Sequence, residues 1–274
     1  MKRAMRHGAA MPTWLLTIIH GVVEGITEFL PISSTGHLLL VQYFLNDPRS
    51  ELFNVGIQSG AVSAVVLIYW RKLWELATRW TEPEPRAEVF KLGLAFAVTV
   101  VLGLSARKAG FSLPEEPLPV AWAVLIGALF IFISEWRLRG ISAAETVGWA
   151  AAAWIGAAQV VAGVFPGTSR SAATIIMAML LGVSRWKSTE FSFLLGIPTM
   201  FAAGIYLAWE SWKEEGSAAF SEMDQFWLGF AVSAVVAFAA VKWLLSYLRS
   251  HSFIPFGYYR LALGLLLLGW FYSR

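Results

Sequence analysis

The sequence predicts an all-α, polytopic integral membrane protein, with about six full transmembrane helices plus two re-entrant half-helix pairs arranged as an inverted-topology repeat. Three observations carry this prediction. Of the 274 residues, 57% are hydrophobic and only 14% charged, against about 25% charged in soluble domains. Apolar runs of bilayer length, roughly 17–25 residues, recur along the chain. Two further apolar regions are broken by polar kinks that echo each other.

The N-terminus, MKRAMRHGAAMPTWLL, looks superficially like a signal peptide. Its apolar run contains Glu24 and Glu28 and no small-residue cleavage site follows, so it is expected to be retained. The first broken region is Trp14–Leu45, split at Pro31. Full spans are expected at approximately Leu52–Trp70, Phe90–Ala106, Val120–Trp136, Ser188–Trp209, Phe226–Leu248 and Pro255–Tyr272. The second broken region, Thr146–Gly182, is split at Pro166–Ser171. Each broken region has a short second half, which favours a re-entrant pair over two clean spans. The connecting loops Arg71–Arg86, Arg107–Pro119, Arg137–Glu145, Glu210–Asp224 and Lys242–Ser252 are short and charged. They leave no room for a soluble domain, so residues 1–274 form one membrane domain.

Within it, residues 14–106 and 146–248 form two approximate repeats. PISSTGH (Pro31–His37) is echoed by PGTSRSA (Pro166–Ala172), each followed by a short helix and a span led by Phe53 or Phe191. Gln159 stands where the first copy has Glu24. The loops after Trp70, Trp136 and Leu248 are rich in Arg and Lys and are assigned to the cytoplasm, while Glu210–Asp224 is assigned outside. The first broken pair then enters from outside and the second from inside. Lys2, Arg3 and Arg6 run against the rule in this assignment. The 14 Trp and 7 Tyr suit interfacial anchoring, and His7, His20 and His251 near span ends read as interfacial. The absence of Cys excludes disulfides and thiolate metal sites. A net charge of +3, confined to loops, leaves no nucleic-acid footprint.

The chemistry-bearing residues concentrate in the kinks. Glu24 and Glu28 lie one turn apart on one helix face. Intramembrane acids are costly, and such a pair can chelate a divalent cation, Mg²⁺ or Ca²⁺, or share a proton. Arg170 presents a planar fork suited to phosphate; the blander reading is an ion pair with Glu28. The hydroxyls of Ser33, Ser34 and Thr35, and of Thr168, Ser169 and Ser171, precede short helices and are expected in part to serve as N-caps. The same geometry aims two helix N-termini at one midplane cavity, an arrangement that attracts anions. Ser34 next to a base is a candidate nucleophile. His37 is a candidate base, acid or phosphate donor, and Gln58 can reach the same cavity. No nucleotide-binding glycine loop is present. The set suits a phosphorylated, membrane-resident substrate.

EGITEFLPISSTGH (Glu24–His37) and PGTSRSAAT (Pro166–Thr174) resemble the two signatures of the bacterial undecaprenyl-pyrophosphate phosphatase family, known for bacitracin resistance. The likeness spans nearly the whole chain, including FNVGIQSGA. It implies hydrolysis of the lipid carrier's pyrophosphate to the monophosphate, recycling the carrier for peptidoglycan synthesis and conferring bacitracin resistance. It further implies a divalent-cation requirement, a plasma-membrane location with the site opening to the periplasmic side, and competition by bacitracin for the substrate. Bilayer lipids are the other partner, and a homodimer is compatible with the chain. By position, the acidic pair falls on Glu24 and Glu28 and the hydroxyl cluster on Ser33, Ser34 and Thr35. The motif histidine is His37. Pro166, Gly167, Ser169, Arg170, Ser171 and Thr174 fall on the second signature. Asn54 departs from an acid common in the family, which weakens that position as a metal ligand and leaves the core motifs untouched.

On this reading, Arg170 and the helix N-termini stabilise the pyrophosphate charge. Glu24 and Glu28 hold the metal or tune the base, and Ser34 attacks after activation by His37 or Glu28. Direct attack by water is the alternative. Two rival functions stand beside it. One is a transporter or flippase of a phosphorylated prenyl lipid, since broken helices in inverted repeats are transporter architecture. The other is a lipid phosphatase with a His nucleophile, disfavoured because no second His lies near Arg170.

Overall fold

The computed structural model describes residues 11–111, 117–216 and 222–273. Within them lie eleven α-helices and no strand, only an isolated bridge between Ala144 and Val183. The helices are α1 (Thr13–Thr27), α2 (Ser34–Leu45), α3 (Glu51–Ile68), α4 (Trp70–Thr78), α5 (Pro83–Lys108), α6 (Pro117–Arg137), α7 (Trp149–Val164), α8 (Arg170–Leu180), α9 (Arg185–Glu215), α10 (Met223–Tyr247) and α11 (Ile254–Tyr272). Six of these, α3, α5, α6, α9, α10 and α11, are long and apolar enough to cross a membrane. The protein is a multi-pass membrane protein. The expected N-terminal segment, with Lys2, Arg3, Arg6 and His7, lies outside the described residues.

The two broken regions form as helix pairs. α1 stops at Thr27, ahead of Pro31, because a residue before proline avoids the helical conformation. α2 restarts behind Ser33, whose backbone turns to φ 77° and whose Oγ accepts from the Gly36 N–H. α7 and α8 are joined in the same manner. Ser169 turns to φ 68° and its Oγ accepts from Ala172 N–H. Each cap satisfies a donor of the first helical turn.

Polar contacts sort the loops to two ends of the bundle. At one end, His20 on α1 lies 3.7 Å from Asp47, Arg49 pairs with Asp47 and Gln225, and Arg107 pairs with Glu210. At the other, Arg185 pairs with Glu135, Lys72 and Lys187 both reach Glu88, and Ser184 donates to Glu145. The Phe253 N–H also donates to Glu135 there. The α1–α2 pair therefore opens toward the end holding Asp47 and Glu210, and the α7–α8 pair toward the end holding Glu135 and Glu145.

Two local expectations are corrected. His20, expected at the interface, is fully buried; its Nδ1–H donates to Leu16 O at 2.8 Å, and Phe53 packs edge-on against the ring. Arg71–Arg86 is not a plain loop, for it holds α4. Its Leu76 is buried while Trp70 and Trp74 are exposed and stacked. Apolar and charged residues on opposite faces of so short a helix fit the headgroup layer.

Candidate active site

The turn between α1 and α2 meets the turn between α7 and α8 inside the bundle. Glu24 faces inward from the last turn of α1 and is wholly buried, with neither carboxyl oxygen hydrogen-bonded. Glu28, one turn on, is 6% exposed and fully engaged. Its Oε2 accepts from Ser34 Oγ at 2.6 Å, and its Oε1 accepts from Arg170 Nη2 at 3.3 Å. The ion pair thus crosses from the first kink to the second. Arg170 lies over the Phe29 ring, 5.6 Å from its centroid, and Nη1 reaches the Ser192 carbonyl at 3.4 Å. Beneath it is Gly196, where a Cβ would come within 2.5 Å of Nη1.

The remaining sequence candidates divide. Ser171 Oγ donates to the carbonyls of Glu28 and Leu30 at 3.2 and 3.3 Å, sewing α8 to the first kink. Ser33 and Ser169 are N-caps. Thr174 is fully buried, donates to Arg170 O at 2.9 Å and meets Ser192 Oγ at 2.6 Å, so it braces α8 on α9. Gly167 is a turn residue at φ 91°, packed against the Val120 backbone. Thr168 contributes its carbonyl to the turn. Thr35 and Gln58 are half-buried, and neither side chain hydrogen-bonds within the described residues. Asn54 accepts from Gln42 Nε2 at 3.2 Å, tying α3 to α2.

His37 is not placed against Ser34. Its Nδ1–H donates to Ser33 O at 2.6 Å, which leaves Nε2 to accept from the Tyr259 hydroxyl at 2.6 Å, with the two rings stacked. The base in contact with Ser34 is Glu28 alone.

Sequence reasoning missed Arg260. It is completely buried on α11, and it donates to the carbonyls of Pro31, Gly167 and Thr168 in the kinks and of Ala123 and Val124 on α6. Its guanidinium rests against Gly127, where any Cβ would collide with it. One side chain thereby holds both interruptions at a fixed separation. The signal was available, since an Arg inside an apolar span is too costly to be decoration.

Comparison with known proteins decides the family. The model of the family described as bacitracin resistance protein BacA matches residues 17–266. The chain belongs to the BacA family. A relative from Rhizobium etli (strain CIAT 652), named undecaprenyl-diphosphatase, is 51% identical over 250 residues, covering 91% of this chain and 94% of the relative. One of the same name from Xylella fastidiosa (strain Temecula1) is 50% identical over 91% of this chain and 95% of its own. A third, from Xanthomonas oryzae pv. oryzae (strain PXO99A), is 48% identical over 95% and 98%. In this BacA-family chain the matched region runs from α1 into α11, so it takes in both kinks and Arg260.

The site also fits a hard divalent cation. Glu24 offers two buried oxygens with no protein partner, and Glu28 and Ser34 add oxygen donors one turn away and across the kink. Among the described residues no cluster of three or more His, Cys, Asp or Glu could hold a metal by itself. Two carboxylates completed by water and substrate phosphate are what Mg²⁺ commonly takes.

Proposed function

We propose that the chain is an undecaprenyl-diphosphatase, hydrolysing undecaprenyl pyrophosphate to undecaprenyl phosphate and inorganic phosphate. The observation that carries the mechanism is the Ser34–Glu28–Arg170 chain, in which a hydroxyl and a guanidinium from two different kinks share one carboxylate, the base.

Arg170 turns its fork to the terminal phosphate. The free N–H groups opening α2 and α8 add positive potential from two directions. Glu28 takes the proton of Ser34 Oγ as that oxygen attacks the terminal phosphorus. The bond from phosphorus to the bridging oxygen breaks, and undecaprenyl phosphate leaves. Water then attacks the phosphoserine, releasing inorganic phosphate, while Ser34 recovers a proton from Glu28. Attack by a water held on Glu28 is the variant without the covalent step. A cation held by Glu24 and Glu28 would neutralise charge on the pyrophosphate oxygens. Arg260, Ser171 and Thr174 hold the kinks without touching the reacting atoms.

Arg71, Lys72, Arg79, Arg86, Arg137, Arg139, Arg185, Lys187 and Arg249 belong to the end marked by Glu135, which by the positive-inside rule faces the cytoplasm. The α1–α2 pair then opens to the periplasmic side. There bacitracin would compete by sequestering the lipid pyrophosphate. Residues 14–106 and 146–248 act as two inverted copies around one site, either within a single chain or in each half of a homodimer. Phosphate release from undecaprenyl pyrophosphate by the purified protein in detergent tests the function. Release supports it, and binding without release would favour a transporter.

A further inference from the structure

Glu24 leaves a physical problem open, because two buried carboxyl oxygens without a partner are costly. A second orphan lies on the helix packed against it. Ser233 on α10 is fully buried and its Oγ has no partner either. α10 approaches α1 closely, since a Cβ at Gly21 would meet Gly229 O at 2.9 Å and one at Gly25 would meet Ser233 O at 2.7 Å.

The other half of the molecule contains the same joint, and there the Gln159 amide nitrogen is hydrogen-bonded to neighbouring hydroxyls while its Oε1 is not. α5 packs on α7 where a Cβ at Gly156 would collide with Ala95 O. Gln159 follows Gly156 by three residues, as Glu24 follows Gly21. Thr99 follows Ala95 by four, as Ser233 follows Gly229. At this joint Gln159 Nε2 donates to Thr99 Oγ1 at 3.1 Å, and Thr99 Oγ1 passes its own proton to the carbonyls of Ala95 and Gly156, each at 2.9 Å. Gln159 also donates to Thr199 at 3.1 Å. Aligned on Phe53 and Phe191, the position of Thr199 falls on Ala61, which has no hydroxyl.

From these matched joints we infer that Ser233 is the positioning residue for Glu24, its hydroxyl donating to the Glu24 carboxyl. The direction of the bond must reverse relative to Gln159. A carboxyl C=O oxygen accepts where the Gln159 amide nitrogen donates, so the hydroxyl proton turns from the helix carbonyls to the acid. One donor, where Gln159 has two hydroxyl neighbours, fixes one carboxyl oxygen and leaves the other free to face substrate or cation. Ser233 itself touches neither. The carboxyl–hydroxyl bond is independent of the phosphatase reading; only its effect on turnover rests on that reading.

Infrared difference spectroscopy of the full-length protein in lipid tests it. The Glu24 carboxyl band is assigned by its loss in Glu24→Gln. Ser233→Ala should shift that band, Ser233→Cys should shift it partway, and Ser233→Thr should restore it. In parallel, Ser233→Ala should lower kcat for phosphate release about tenfold, the scale of one hydrogen bond, with KM within about twofold, and Ser233→Thr should recover it. A Glu24 band unmoved in both Ser233→Ala and Ser233→Cys would overturn the inference. A shifted band in a protein whose wild type releases no phosphate would support the inference and overturn the phosphatase function instead.

Discussion

Ser34 Oγ donates to Glu28 Oε2 at 2.6 Å across the break between α1 and α2, so the proposed nucleophile and its proposed base are hydrogen-bonded to each other. Six residues separate them in sequence, and the turn at Pro31 brings the start of α2 back over the end of α1.

Ser34→Ala should therefore remove the covalent route while leaving Glu28 and Arg170 in place. We expect kcat to fall by at least about 10³-fold with KM little altered, as for loss of a nucleophile acting with a base. Rapid quenching of the wild type with radiolabelled terminal phosphate should trap label on Ser34. Full turnover by Ser34→Ala would rule out the covalent step and favour attack by water.

The Glu28–Arg170 pair predicts a thermal-stability pattern as well. Arg170→Ala leaves Glu28, 6% exposed, without its cation, and breaking a buried pair from one side costs about 3–5 kcal/mol. Its melting temperature in detergent should fall clearly. Glu28→Gln combined with Arg170→Ala should recover part of that loss, because no uncompensated charge remains. A double variant less stable than Arg170→Ala alone would contradict the pairing.

Arg260→Lys should be poorly tolerated despite conserving charge. Five carbonyls share one guanidinium fork, and an ammonium has three donors and cannot span them. We expect a loss of about 2–4 kcal/mol in stability and a larger fall in kcat than in substrate binding, since the kinks lose their fixed separation. Gly127→Ala should reproduce this by displacing the same guanidinium. Wild-type turnover by either variant would show that the kinks are held by other means.

Gly196→Ala offers a milder probe. Its Cβ would press on Arg170 Nη1 and shift the fork while keeping every charged group. A fall of about 10–100-fold in kcat/KM is expected from misplacement of this size, measured with Arg170→Lys for comparison. Removal of divalent cations by chelator should abolish turnover, and Glu24→Gln should raise the cation concentration needed to restore it.

The spans were legible because lipid imposes a length and a composition that sequence cannot disguise. Both kinks were legible for the complementary reason, that proline, hydroxyls and charge are expensive in an apolar run. What escaped was relational. Arg260 was visible as a charge in α11, but its five partners are backbone carbonyls on α6 and in both kinks, which no local pattern encodes. His37 belonged to a catalytic motif by sequence, yet its two nitrogens are taken by Ser33 and by Tyr259, more than two hundred residues away. His20 stands near a span end but turns into the bundle toward Asp47. α4 escaped because nine residues of mixed charge, though amphipathic, fall far short of an apolar run of bilayer length. The starts of α5 at Pro83 and α9 at Arg185 run beyond the apolar windows, since charged first turns extend a helix into the headgroup layer.

In the proposed mechanism one carboxylate, Glu28, serves a hydroxyl from its own kink and a guanidinium from the opposite one during pyrophosphate hydrolysis. The most direct measurement is single-turnover phosphate release from undecaprenyl pyrophosphate by Glu28→Gln, at matched folded protein and saturating substrate. A rate at least about 10³-fold below wild type is expected, with the lipid still bound. Release at the wild-type rate would contradict it.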